Sequence, residues 1–394
     1  MRRTNAALMA IVLVVSTIGA ASIAGATTGA NQESSAYAGT HVSFETADQA
    51  IVEYEVNGAT LVESIEVEAR SDAEQRGAFE AGVGVSATTD IEGSALSMQS
   101  ETETRATMET ESGATVDAHD SDRGNLLVRA NGESQLVGIT IGADAEAEQQ
   151  SDTHVVVTSD DGTQGSFILV GEGEVAVNDE GEVSAAVDER SVLVYRQYDG
   201  ERDDSDREQE RLIAEGTAAA EVYVTTAAED GAETAADVVQ YSEDTTVEVV
   251  TYSENEIQMT AERAESEGKV VITSVSEHAF DTAGATEVTV DGDASTQVDS
   301  YSELEAAANN GDNSAFMVKQ ETTAQASADV LVAVNHFSER NVAISSSGEN
   351  GVDDGDDTAA DDSDDGIVDQ DQPGFGIVAA LIALSLLVLG RTRL

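Results

Sequence analysis

The chain of 394 residues has no cysteine, one proline and only 18 basic residues, two of which, Lys269 and Lys319, are lysines. Without cysteine there are no disulfides and no thiolate metal sites, so stability must come from packing, backbone pairing and any bound cations. So few basic groups cannot supply the counter-charge that nucleic-acid phosphates or anionic headgroups require, and no nucleic-acid partner is expected. Asn-x-Ser/Thr acceptors are also absent, which excludes N-glycosylation by the usual rule. Familiar catalytic signatures are missing as well. There is no Gly-x-Ser-x-Gly elbow, no phosphate loop and no His-Glu-x-x-His, and His41, His119, His154, His278 and His336 lie scattered without metal-ligand spacing. Gly82-Val83-Gly84 and Gly171-Glu172-Gly173 fail the dinucleotide pattern and read as turns. No cofactor, metal or enzymatic activity is expected.

What the chain has in excess is acid. Its 78 aspartates and glutamates give a formal net charge of −60. An acidic chain with 4% aromatics is often disordered, but here 40% of residues are hydrophobic and fall in ordered patterns, which favours a folded core inside an acidic shell. At molar salt the Debye length is about 3 Å, so the self-repulsion of such a shell is mostly screened. The composition resembles that of exported proteins of halophilic archaea. With this many carboxylates, chance pairs are everywhere, and a glycosidase pair cannot be recognised by spacing.

The two ends read as addresses. Arg2 and Arg3 precede the uncharged, mostly apolar stretch Ala6 to Ile18, and Ala24 and Ala26 flank Gly25 in a small-residue cleavage pattern. Residues 1–26 are therefore expected to be a signal peptide, an uncleaved membrane helix being the alternative; the Arg2-Arg3 pair fits Sec or twin-arginine export. Residues 27–41 form an N-terminal extension. At the other end, Pro373-Gly374-Phe375 leads into the apolar run Ile377 to Leu389 and then Arg391 and Arg393, a positive-inside stop that leaves the preceding domain outside. Residues 373–394 resemble the PGF-CTERM sorting signal of archaeal surface proteins. That resemblance implies that Pro373, Gly374 and Phe375 are recognition residues for an archaeosortase-type processing enzyme, which removes the helix and leaves a lipid anchor. An ordinary C-terminal anchor is the alternative, although Gly374 to Gly390 spans only about 25 Å at the helical rise. Many family members carry a Thr-rich stalk before the tripeptide; here residues 348–372 are acidic and read as a disordered, self-repelling linker. The run Asp361 to Gly366 resembles the start of a calcium loop, but Gln372 stands where a bidentate glutamate is needed.

Residues 42–347 read as a mainly β ectodomain. Around Glu101 to Ser112, charged residues alternate with Thr102, Thr104, Ala106, Met108 and Thr110, the period of a strand with one wet face. Val155 to Thr158 with Phe167 to Val170, and Val175 to Val177 with Val183 to Val187, read as hairpins. Further strands are expected at 51–56, 136–141, 191–195, 221–225, 246–252, 270–275, 287–290, 330–334 and 341–344. Asn57-Gly58, Asn131-Gly132, Asp199-Gly200, Asp230-Gly231 and Asp291-Gly292 punctuate them. Two short helices are expected, one opened by a Ser205 to Glu208 capping box and one by Ser302 to Glu305. The fold expected is one or two β-sandwich-like domains, with any division near 200–220, or alternatively a β-solenoid, for which no sustained repeat is present.

One stretch concentrates scarce residue types. Tyr195, Arg196, Tyr198 and Arg202 combine aromatics and arginines as interaction surfaces do. The competing reading is a structural ion-pair cluster, with Arg207 and Arg211 tying the adjoining helix to nearby carboxylates. The expected function is that of an exported structural or interaction protein of the cell envelope, a surface-layer type of component held at the membrane by helix or lipid and in contact with other envelope proteins. An extracellular ligand- or carbohydrate-binding protein and a carboxylate-based surface hydrolase are the alternatives.

Overall fold

The computed structural model describes residues 35–347 except 48, 80–83, 89, 227–233, 254, 264–267, 277–284, 311–312, 321–326 and 336–338. These residues belong to one compact unit. The first half contains β1 (Ala36–Ala38), β2 (Val42–Ala47), β3 (Ala50–Val56), β4 (Ala59–Ala69), α1 (Arg70–Arg76), β5 (Leu96–Glu101), β6 (Arg105–Thr110), β7 (Thr115–His119) and β8 (Leu126–Arg129). It continues with β9 (Gln135–Ile141), β10 (Ala145–Ser151), β11 (His154–Ser159), β12 (Gln164–Val170), β13 (Gly173–Val177), β14 (Val183–Val187) and β15 (Val192–Tyr198). After α2 (Asp204–Ala214) come β16 (Ala218–Thr226), β17 (Thr234–Gln240), β18 (Thr245–Ser253), β19 (Glu256–Arg263), β20 (Lys269–Ser276), β21 (Ala285–Val290), β22 (Asp293–Ala294) and β23 (Thr296–Gln297). The described chain ends with α3 (Tyr301–Asn310), β24 (Ala315–Gln320), β25 (Ser327–Val334) and β26 (Glu339–Ser347).

The strands form four sheets with orders β1-β2-β3-β4-β9-β14-β13, β10-β11-β12-β15-β8-β7-β6-β5, β17-β16-β20-β25-β24-β23 and β18-β19-β26-β21-β22. Sheets one and two close on a core that includes Phe44, Tyr54, Ile65, Val116, Val157, Phe167 and Tyr195; sheets three and four close on Val222, Ile257, Met259, Val271, Val330 and Ile344. The fold is thus mainly β and sandwich-like, in two sandwiches. Nearly all neighbours pair antiparallel, β16 with β20 and β23 with β24 being parallel exceptions. Hairpin-connected strands facing across a core replace the solenoid alternative, whose coils would stack in parallel.

A third core lies between the sandwiches. Leu127, Ile168, Val192 and Val194 on the outer face of sheet two pack with Tyr223, Val270, Ile272 and Leu331 on the outer face of sheet three and with Tyr241 just past β17, joined by Leu212 and Ile213 of α2 and Leu304 and Ala308 of α3. The period-two rule explains how one strand serves two cores. In β15, Leu193 and Tyr195 point into the first sandwich while Val192 and Val194 point into the junction, and all seven residues are buried.

Several details depart from the expectations. Glu101 to Ser112 is not one strand: the chain turns at residues 102–104 between β5 and β6, where Thr102 Oγ1 accepts the Arg105 amide at 3.0 Å. The wet-face alternation holds for β6 itself, with Ala106, Met108 and Thr110 buried. There are three helices among the described residues, not two. The additional one, α1, follows β4 directly, and its N-cap Ala69 has no side-chain cap, so the sequence carries no start signal. In α2 the capping box is Asp203 with Asp206, two residues before the expected Ser205. Ser300, not Ser302, caps α3, accepting the Glu303 amide at 3.3 Å. Asn57-Gly58, Asn131-Gly132 and Asp291-Gly292 all have positive φ at both positions, the requirement of the tightest hairpin turn. Asp230-Gly231 lies outside the described residues.

Candidate functional site: an ionic junction between the sandwiches

Charged side chains share the space between sheets two and three with the apolar residues just named. Arg123, on the turn joining β7 to β8, donates through Nη1 to Glu221 Oε1 at 2.7 Å and through Nη2 to Asp329 Oδ2 at 2.7 Å. Glu221 and Asp329 sit on β16 and β25 of the other sandwich. Their neighbours by period two, Tyr223 and Leu331, belong to the same junction. Arg196 on β15 donates to Glu221 at 3.1 Å and to Gln209 of α2 at 3.3 Å, and Gln209 Nε2 reaches Asp329 at 2.6 Å. The Tyr241 hydroxyl donates to the other oxygen of Glu221.

A second pair lies alongside. Arg202 Nη1 donates to Glu210 Oε2 at 2.5 Å, and Glu210 also accepts from the hydroxyls of Tyr198, at 2.8 Å, and Ser166. At another place between the sandwiches, His119 on β7 meets Asp237 on β17 at 2.5 Å, and Arg129 donates to the Gln240 carbonyl.

The side chains of Arg123, Arg196, Arg202, Glu210, Glu221 and Asp329 are 0–9% exposed. Three guanidinium groups thus meet three carboxylates out of water. Removing such groups from water is costly, and mutual pairing offsets that cost only when geometry and hydrogen bonding are good. The electrostatics follow the geometry. Burial alone would raise the Asp329 carboxyl, but Arg123, Gln209 and Arg196 together outweigh it and hold the pKa below the ordinary value. Burial alone would lower Arg196, but Glu221 together with Tyr198 and Tyr241 more than offsets it and raises the guanidinium, keeping it charged. Burial lowers His154, which therefore favours the neutral form beside Glu210. Asp122 moves the other way from Asp329: burial raises it against the pull of Arg123.

Two carboxyls with opposed shifts are the electrostatic mark of an acid and base pair. Here, however, Asp329 is 1% exposed and tied to Arg123 and Gln209, so no substrate reaches it. Among the described residues no group of three His, Cys, Asp or Glu side chains is placed to hold a metal ion, and no helix is long and apolar enough to cross a membrane.

Tyr195, Arg196, Tyr198 and Arg202 are 1%, 0%, 8% and 8% exposed. They present no outward-facing surface. Tyr195 lies in the first sandwich's core, its ring 4.8 Å from Phe167 and 6.0 Å from Tyr54, whereas the other three face the junction. Arg207 pairs with Asp204, and Arg211 reaches Glu208, Glu215 and Glu305, the last linking α2 to α3 at 2.7 Å. Pro373, Gly374, Phe375, Ala24, Ala26, Arg391 and Arg393 lie outside the described residues, as do His278, His336 and the 361–372 run. Arg123, Gln209, Glu210, Glu221 and Asp329 were not singled out from the sequence. Their signal was a lone acid in an apolar strand, Glu221 within AAAEVYV and Asp329 within ADVLVAV.

An open groove of about 780 Å³ lies over sheet one, lined by Ala36, Tyr37, Ser43, Glu45, Glu53 and Glu63 among others. It is acidic rather than tyrosine-lined, and Tyr37 is 3% exposed.

No family model and no curated protein matches the chain. Among solved structures it is similar to a mutant glycoside hydrolase family 81 protein from Clostridium thermocellum, with 8% identity and a TM-score of 0.36 over 77% of this chain and 34% of that one. The match thus spans about a third of that protein, and the likeness is too slight to carry any chemistry across.

Proposed function

We propose that the chain is an exported, salt-adapted protein of the cell envelope, in which two β-sandwiches act as one structural or interaction module. The observation that carries this reading is the junction itself. Its ion pairs are buried, so salt screens them far less than the surface charges, while the net charge of −60 is tolerable only where salt is plentiful. A body joined in this way suits service as a rigid outer component. In this reading Arg2 to Ala26 directs export, Pro373-Gly374-Phe375 is the sorting signal, and the acidic residues 348–372 lift the module from the membrane. Other envelope proteins are the partners.

The test is quantitative mass spectrometry of isolated cell envelopes. High abundance with Ile377 to Leu394 missing is the expected result; low abundance with the tail intact favours a membrane-anchored receptor or enzyme. A second reading, ligand or carbohydrate binding, rests on the groove over sheet one. Saturable binding of a soluble glycan that is lost on Glu45→Gln with Glu63→Gln would favour it.

A further inference from the structure

The turn from β7 to β8 carries buried acceptors that nothing in the described structure satisfies. Ser121 and Asn125 are 1% and 0% exposed, and Ser121 Oγ, Asp122 Oδ1 and Asn125 Oδ1 have no hydrogen-bond partner. All three belong to one turn, closed by bonds from the Gly124 amide to the Ser121 carbonyl at 2.9 Å and from the His119 amide to the Asn125 carbonyl at 2.8 Å. Asp122 and Asn125 also have a neighbour in common. Asn125 Nδ2 donates to the Tyr223 hydroxyl at 2.5 Å, and the phenol, raised first by its own burial and by Glu221, also feels the charge of Asp122.

Charge balance points the same way. The junction sets Arg123, Arg196 and Arg202 against Glu221, Asp329 and Glu210, and Asp122 is a fourth carboxylate near Arg123, Asp329 and Glu221, with His41 the other basic group acting on it. Arg123 is engaged by Glu221 and Asp329, and its pull on Asp122 is smaller than the effect of burial. Asp122 is half-buried with its Oδ1 out of water, where an unpaired carboxylate oxygen is costly, and oxygen acceptors on one turn with a single negative charge are the setting for a hard cation. One carboxylate suits a single positive charge; a divalent ion calls for more.

We propose that this turn binds one monovalent alkali cation, sodium in a saline medium, through Ser121 Oγ, Asp122 Oδ1 and Asn125 Oδ1. The ion would neutralise Asp122 and stiffen the turn from which Arg123 reaches across to the second sandwich.

The test compares the full-length protein with Asp122→Asn in sodium chloride and in choline chloride at the same ionic strength. Choline is too large for a site of this kind, while it screens the surface equally well. The unaltered protein is expected to lose about 2–4 °C in Tm on the exchange, and Asp122→Asn to lose nothing. Equal losses in both, as diffuse binding by the acidic shell gives, or no loss in either, overturn the proposal. Should Asp122→Asn fail to fold, crystals of the unaltered protein soaked in a thallium(I) salt decide. An anomalous peak within about 3 Å of Asp122 Oδ1 supports the site, and a peak-free turn overturns it.

Discussion

Arg123 and Asp329 lie 206 residues apart in the chain, yet their side chains meet at 2.7 Å inside the protein. One belongs to the first sandwich and the other to the second. The contact is therefore long-range in sequence and joins the two bodies. Asp329 and Glu221 both depend on Arg123 for much of their compensation.

Replacing Arg123 with methionine leaves Asp329 buried with only the neutral Gln209 amide against it, and Glu221 with Arg196 as its one remaining guanidinium. The expected loss is about 3–5 kcal/mol, the usual cost of breaking a buried pair from one side. Denaturant unfolding in molar salt measures it. Combining Arg123→Met with Asp329→Asn is expected to regain most of the loss, because Glu221 keeps Arg196 and no buried carboxylate is then left alone.

Asp206 gives a dependence on pH. Burial lifts its pKa to about 6, although it accepts the Asp203 amide in the capping box of α2. An acid whose folded pKa lies above its unfolded value opposes folding above the folded pKa, and the opposition fades as the pH falls to about 4. Asp206→Asn keeps an acceptor and removes the charge. It is expected to raise Tm by about 2–4 °C at pH 8, with the gain shrinking below pH 6 and vanishing below pH 4. Melting curves of both proteins across that range check the sign.

Gly165 on β12 tests the packing of the first core. A Cβ there would lie 2.9 Å from the Tyr195 ring and 3.2 Å from Leu61. Tyr195 is fully enclosed and its hydroxyl donates to Gln197 at 2.8 Å, so it has little room to give way. Gly165→Ala is expected to cost about 1–3 kcal/mol, measured by denaturant unfolding, with an altered near-ultraviolet tyrosine signal.

The β character was legible because a strand with one wet face alternates, as β6 does with Ala106, Met108 and Thr110 turned inward. The junction was not, because alternation says nothing about what covers the other face. Arg196 and Tyr198 look like surface residues in a sequence, and only the second sandwich, folded over sheet two, turns them into interior ones. Ser205 resembled a helix start for a similar reason: Asp203, two residues earlier, offers the same chemistry, and the backbone chose it. Asp329 is a charge at the start of an apolar strand, but its partner Arg123 lies on a turn in the other half of the chain, and no local pattern connects them.

The placing of the final strand has a mechanical meaning. β26 lies between β19 and β21, hydrogen-bonded to both over most of its length, whereas β1 is a three-residue strand on a sheet edge. A load applied at Ser347 must break two ladders together, while a load at Ala36 can peel one short ladder alone. The end of the described chain that leads to residues 348–394 is thus the more firmly tied of the two.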